Sequence, residues 1–122
     1  MTDDELKEFA TLIVQSVRDS AIQSCNVQIH TDSMRSPITK RWRDAGLGKD
    51  TEKLVEMVIS DCVDNTIFHF LQEVENGSLE LFFESKNRRI NLSKEGEGEL
   101  SGFYIGEWRS SYTKEQCFND LL

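Results

Sequence analysis

Toward the C-terminal end of the chain the stretch EGEGELSGFYIGEW, residues 95–108, sets Gly96, Gly98, Gly102 and Gly106 among acids and aromatics. Glycines at such spacing can cradle a pyrophosphate at a helix start, because backbone without Cβ atoms approaches the anion closely. Glu95, Glu97 and Glu99 occupy the same loop, however, and their charges oppose a bound phosphate. The residues leading to Leu92 read as half of a hairpin rather than as a strand of a parallel βαβ unit. On a helix, Gly98, Gly102 and Gly106 form a stripe, and interior glycines cost about 1 kcal/mol each relative to alanine. Close approach of a neighbouring helix or hairpin offsets that cost through dispersion contacts, so packing is expected here rather than nucleotide binding.

Other reactive residue types are sparse. His69 lies one helical turn from Asn65 and from Glu73, with no nucleophile or second ligand in a recognisable arrangement, and is expected to be a hydrogen-bonded structural residue. His30 falls in a segment that reads as a loop. Cys25, Cys62 and Cys117 are odd in number and lack paired metal-type spacing, so neither a disulfide framework nor a metal site is expected, and no cofactor. Cys25 and Cys62 fall on apolar faces and read as reduced core residues. The KRWR segment, Lys40 to Arg43, joins charge to an aromatic as binders of single strands do. With Ile38 and Trp42 on one face it reads more simply as the solvated side of a short helix.

The pattern that best suggests binding lies in EMVISDCVDNTIFHFLQEVE, residues 56–75. Met57, Asp61, Asp64, Phe68, Gln72 and Glu75 recur at steps of three and four, which aligns them on the side away from the main apolar face. Phe68 then stands exposed among three acids, an arrangement suited to an aromatic interface anchor with a steering rim. These six residues, together with Glu95, Glu97 and Glu99, form the candidate partner-binding set.

The elements that must position them follow from hydrophobic period and punctuation. From Thr2 to about Cys25, apolar residues at Leu6, Phe9, Ala10, Ile13, Val17, Ala21 and Cys25 predict an amphipathic helix, opened by the capping-box pair Thr2 and Glu5. Ser36-Pro37 starts a second, shorter helix that stops at the glycines of AGLGKD. A third runs from about Asp50 or Thr51 to Glu75 and ends at Asn76-Gly77. Its broad apolar face, Leu54, Val55, Val58, Ile59, Cys62, Val63, Thr66, Phe70 and Val74, is expected to centre the core. Alternation through residues 79–84 and 89–92 around a polar connection predicts an antiparallel β-hairpin. A fourth helix buries the row Leu100, Tyr104, Trp108 and Tyr112, and TKEQCFNDLL can form a short last one. The expected fold is thus α+β, a mainly α-helical single domain over residues 1–122 with four to five helices and one small hairpin.

Fourteen basic and 22 acidic residues give a net charge of −8, unevenly spread. Residues 35–53 hold six bases against three acids, while the remainder holds eight against 19. Such a surface repels nucleic acid and anionic membranes and attracts basic partners. No apolar run approaches the ~18 residues that span a bilayer. The acidic start MTDDELKEF lacks the marks of a signal or transit peptide, so a cytoplasmic location is expected.

In its small size, its acidity, its amphipathic first helix with the acid-rich turn Asp3-Asp4-Glu5, its Asp61, Asp64, Phe68 surface and its Glu95, Glu97, Glu99 loop, the chain resembles the immunity proteins of bacterial toxin systems. The resemblance implies a cytoplasmic, non-enzymatic inhibitor that binds a cognate toxin through a complementary basic surface. Two other readings stand beside it. One is a small enzyme or ligand-binding domain with a pocket between the hairpin and the 98–112 helix, where His69, Tyr104, Trp108 and Arg109 converge. The other is a regulatory or structural subunit whose exposed stripe forms a homodimer.

Overall fold

The computed structural model describes residues 1–31 and 35–115. Helix α1 is one helical run over residues 3–30, α-helical at Asp3–Thr11, π-helical at Leu12–Asp19 and α-helical again at Ser20–His30. The expected capping box opens it: the Glu5 amide donates to Thr2 Oγ1 at 3.2 Å, and the Thr2 amide donates to Glu5 Oε1 at 2.8 Å. The run continues past Cys25, so His30 ends a helix instead of lying in a loop. Helix α2, Pro37–Asp44, starts where Ser36 caps it with Pro37 at the first position. Its Arg43 Nη2 donates to the carbonyls of Ile29 and Thr31 at 3.0 and 2.9 Å, satisfying orphan acceptors at the end of α1.

Helix α3, Glu52–Glu75, stops at Asn76, and Gly77 follows at φ +83°, a left-handed turn that glycine adopts without steric cost. Strands β1, Phe82–Glu84, and β2, Arg89–Asn91, pair antiparallel in the register Phe82 to Asn91, Phe83 to Ile90 and Glu84 to Arg89. A single turn, α4 (Leu92–Glu95), leads on to α5, a helical run over 100–111 that is π-helical at Tyr104–Trp108. Thr113, Lys114 and Glu115 are not helical; the rest of the short last helix expected there, with Cys117, lies outside the described residues.

One hydrophobic core joins these elements. Phe9, Ala10, Ile13 and Val14 from α1 meet Ile67, Leu71 and Val74 from α3, Phe83 and Ile90 from the hairpin, Leu92, and Leu100, Tyr104 and Trp108 from α5. Phe9 meets the rings of Phe83 and Trp108 edge to face, with centroids 5.5 and 5.9 Å apart. The predicted α5 row is in place, with Tyr112 packed against it. A two-stranded hairpin is marginal alone; here its inward pair Phe83 and Ile90 is buried against the helices.

Three expectations about which face is buried fail, each for a physical reason. In α1 the buried row after Ile13 is Val14, Arg18, Ile22 and Ile29, while Val17 is exposed and Cys25 only half-buried. The π-helical turns take an extra residue, which moves the inward face one position along the sequence from Val17, Ala21 and Cys25. In α3 the buried face is Ser60, Asp64, Ile67, Leu71 and Val74, whereas Leu54, Val58, Cys62, Thr66 and Phe70 are exposed. This helix carries apolar residues nearly all round, so its period does not single out one face, and the side holding Asp64 turns inward to meet buried Arg18. Third, the glycine stripe packs against nothing. A Cβ at Gly102 or Gly106 would meet no atom within 4 Å, and Gly98 lies before the helix at φ +73°. The close approach is instead at Gly96, where a Cβ would stand 2.7 Å from both the Leu100 side chain and the Leu92 carbonyl oxygen.

Candidate functional site

Both π-helical segments aim a side chain at Asp64. Its Oδ1 accepts from Arg18 Nε at 2.7 Å and from the Tyr104 hydroxyl at 2.6 Å, and its Oδ2 accepts from Arg109 Nη1 at 3.2 Å. Arg18 Nη1 also donates to Asp19 Oδ1 and to Thr113 Oγ1, each at 3.0 Å. The Thr113 hydroxyl and the Lys114 amide both donate to Asp19 at 2.7 Å. Arg18, Asp64 and Tyr104 are fully buried, and π-helical turns often occur at functional sites.

Burial pushes the Asp64 carboxyl up, but the hydrogen bonds from Arg18, Tyr104 and Arg109 outweigh it and hold the group below the usual aspartate range. Burial and the neighbouring Asp64 push the Tyr104 phenol up. The result is a carboxylate whose two oxygens are both taken and a phenol that keeps its proton; neither exchanges protons near neutrality. The junction is a clasp joining α1, α3 and α5.

A second clasp secures the hairpin. Arg88, in the connection between the strands, donates to Glu5 from Nε at 2.9 Å and to Glu95 from Nη1 at 2.9 Å. The Met1 amine stands 3.4 Å from Glu95. Arg88 lowers the Glu5 carboxyl to about 2, helped by the Thr2 amide and opposed by burial. Glu95 is likewise held low, chiefly by Arg88.

The candidate binding set therefore divides. Asp64 is not on the surface, because Arg18 draws it inward. Glu75, half-buried, accepts from the Ser101 hydroxyl at 2.9 Å and from the Ser101 amide, so it caps α5 from a distance, where Glu99 offers no side-chain cap. Glu95 is half-buried and engaged by Arg88. Phe68 is half-buried rather than exposed, its ring edge-on to His69 with centroids 5.5 Å apart, and Gln72 is half-buried beside it. Met57, Asp61, Glu97 and Glu99 are exposed. The Glu75–Ser101 bonds bring Glu97 and Glu99 to the C-terminal end of α3.

His69 is exposed on α3, and the structure does not bring it together with Tyr104 and Trp108, which belong to the core. The cavity that includes Trp108, about 340 Å³, is bounded by Asp3, Leu6 and Lys7 of α1 and by Phe103 and Tyr112. Among the described residues no group of three or more His, Cys, Asp or Glu side chains is placed to hold a metal ion, and no helix is long and apolar enough to cross a membrane. His30 pairs with Glu52 at 3.3 Å and with Glu56, tying the end of α1 to the start of α3.

Sequence reasoning missed two features. The first is Arg18, whose signal was present: Val14, Arg18, Ile22 and Ile29 keep helical spacing as well as the predicted row does. The second is the outward apolar ridge of α3, read as core although Leu54 is 60% and Val58 50% exposed. Comparison of the chain with protein-family models, with curated proteins and with solved structures finds no match.

Proposed function

We propose that this chain is a non-enzymatic binding protein that occludes a basic surface on another protein, in the manner of the immunity proteins it resembles. The observation that carries the reading is how its acids divide. Glu5, Asp19, Asp64, Glu75 and Glu95 are engaged inside the fold, whereas Asp61, Glu97 and Glu99 are exposed and have no ion pair among the described residues. They flank Phe68 and Gln72 along α3 and the loop that its last turn holds. Phe68 and Met57 supply apolar area, and the unpaired acids steer a cationic partner and raise its association rate. The partner is a toxin or effector in the same cytoplasm, where Cys25 and Cys62 remain thiols.

Co-purification from the native host is expected to yield one stoichiometric basic protein. Asp61→Lys with Glu99→Lys should slow its association at least about tenfold while the circular dichroism spectrum is unchanged, and added salt should mimic the effect. Equal association rates for the folded double variant and the parent would reject this surface.

A further inference from the structure

The hairpin leaves one edge open beside a cleft. The Ser85 amide donates to the Arg88 carbonyl and the Leu92 amide to the Leu81 carbonyl, each at 2.9 Å. Ladder bonds alternate along an antiparallel pair, so in the register of this hairpin Phe83 and Ile90 carry the bonds between those two. Phe82 and Glu84 therefore turn their N–H and C=O groups away from β2, and these four groups have no hydrogen bond among the described residues. Beside them lies a cleft of about 690 Å³, with Phe83, Glu84, Lys86 and Asn87 on the hairpin side. One side of α1, from Asp4 through Glu8 and Leu12 to Ser16, forms the other wall. No residue of β2 lines it, which places the cleft along the outer edge of β1. The Lys86 amide donates to Glu8 Oε2 at 3.1 Å and fixes the turn to α1 at one end.

We propose that an extended segment of another protein adds to β1 here as a third, antiparallel strand. The inference goes beyond the acidic surface on α3 and does not depend on it. A sheet edge with unpaired donors and acceptors is a template for a further strand; main-chain bonds supply the affinity and alternate side chains the selection. Four such bonds are available, two at Phe82 and two at Glu84. A two-stranded sheet is marginal, and a third strand strengthens it.

The side chains along this edge specify the segment. Phe82 is 43% exposed and the Glu84 side chain 73%, and both project from the face opposite buried Phe83. Rings pair across strands with aromatic or β-branched residues, and carboxylates with bases. The segment thus carries a base against Glu84 and a bulky apolar residue against Phe82. The residue between those two points toward α1, where Leu12 is 43% exposed, and is apolar. Among the described residues Arg89 is the ion-pair partner of Glu84, at 3.5 Å, in a contact so exposed that a second cation can join it. Elsewhere in the cleft Lys7 and Lys86 balance Asp4 and Glu8, so Glu84 is the position that calls for a base.

The test selects from random 12-residue peptides displayed on phage, with the full chain as bait, and synthesises the enriched ones. The expected peptides carry a base followed by two apolar residues and slow hydrogen exchange at the Phe82 and Glu84 amides at least about tenfold. Glu84→Pro removes an outward N–H without touching the ladder to β2 and should weaken binding at least about tenfold, with the circular dichroism spectrum unchanged. Glu84→Gln keeps the N–H and should weaken it by no more than about fivefold. N-methylation of the peptide amides that face β1 should abolish binding, and methylation of the alternate amides should not. Asp61→Lys with Glu99→Lys should leave peptide affinity unchanged. The proposal is overturned if no peptide is enriched, if methylation at either set of amides has the same effect, or if protection appears away from β1. Slow exchange at Phe82 and Glu84 in the chain alone also overturns it, because the chain's own residues then cover the edge. So does a mass of twice 14.1 kDa that Glu84→Pro halves, because a second copy then takes the place of the segment.

Discussion

At the scale of single residues, Asp64 has the largest effect expected of any side chain. Asp64→Ala leaves the Arg18 guanidinium buried without its main partner, and loss of one member of a buried pair costs about 3 to 5 kcal/mol. Urea denaturation should register that loss, while Arg18→Met combined with Asp64→Leu should recover part of it, because the buried guanidinium is gone although Asp19 loses its ion pair and the Tyr104 hydroxyl its acceptor. The glycines give a contrast of sign. Gly102→Ala enters open space on a helix and should stabilise by about 0.5 to 1 kcal/mol. Gly96→Ala drives a methyl group into the Leu92 carbonyl and should destabilise, since backbone cannot give way as a flexible side-chain tip can. The sequence displays the run of glycines but not which of them is crowded. That depends on the fold of Leu92 and Leu100 around Gly96, a contact between α4 and α5 that no local pattern encodes.

At the scale of elements, helix existence and capping were legible, and helix rotation was not. Thr2 with Glu5, Ser36 with Pro37, and Asn76 with Gly77 mark ends through local chemistry, and all three marks hold. The inward faces of α1 and α3 were misread, because a π-helical turn shifts one by a residue and the Arg18–Asp64 pair turns the other against its apolar content. The candidate site inherited that error at Asp64 and Glu75, while Asp61, Glu97 and Glu99 were read as surface correctly. Glu75→Ala should cost about 1 kcal/mol by uncapping α5, read as a lower urea midpoint with loss of protection at the Ser101 amide. The two ties between elements titrate in opposite senses. Glu5, held at about 2 against an ordinary 4.5, contributes stability above pH 4.5 that is lost as pH falls toward 2, and Arg88→Ala should weaken that dependence, leaving the part owed to Thr2. His30 is raised above 6.5, chiefly by Glu56, so its contribution is full below pH 6.5 and fades as pH rises through the folded value. Thermal melts from acid to mild base should show His30→Gln losing its deficit relative to the parent as pH rises.

At the scale of the whole molecule, acidity and apolar surface are separated. The exposed acids Asp61, Glu97 and Glu99, without an ion pair among the described residues, gather beside Phe68 and beyond the end of α3, while the apolar ridge winds around the same helix by about 40° for every four residues. One helix thus presents two dissimilar surfaces. Salt provides a global readout. Because net charge of −8 opposes compaction, moderate salt should raise the melting temperature, most visibly at pH above the carboxylate range.

The bonds from Thr113 and Lys114 back to Asp19 join positions 94 and 95 residues apart. Closure of so long a loop must precede any reward from the contacts it makes, so these bonds form late in a mainly helical fold whose other contacts are mostly local. On a ribosome, Arg18 emerges well before Thr113, 95 residues further on, can reach it. Helices α1 and α3 can pair through Asp64 in that interval, but the clasp completes only once Thr113 and Lys114 have emerged, so a nascent chain halted short of residue 113 should remain sensitive to protease.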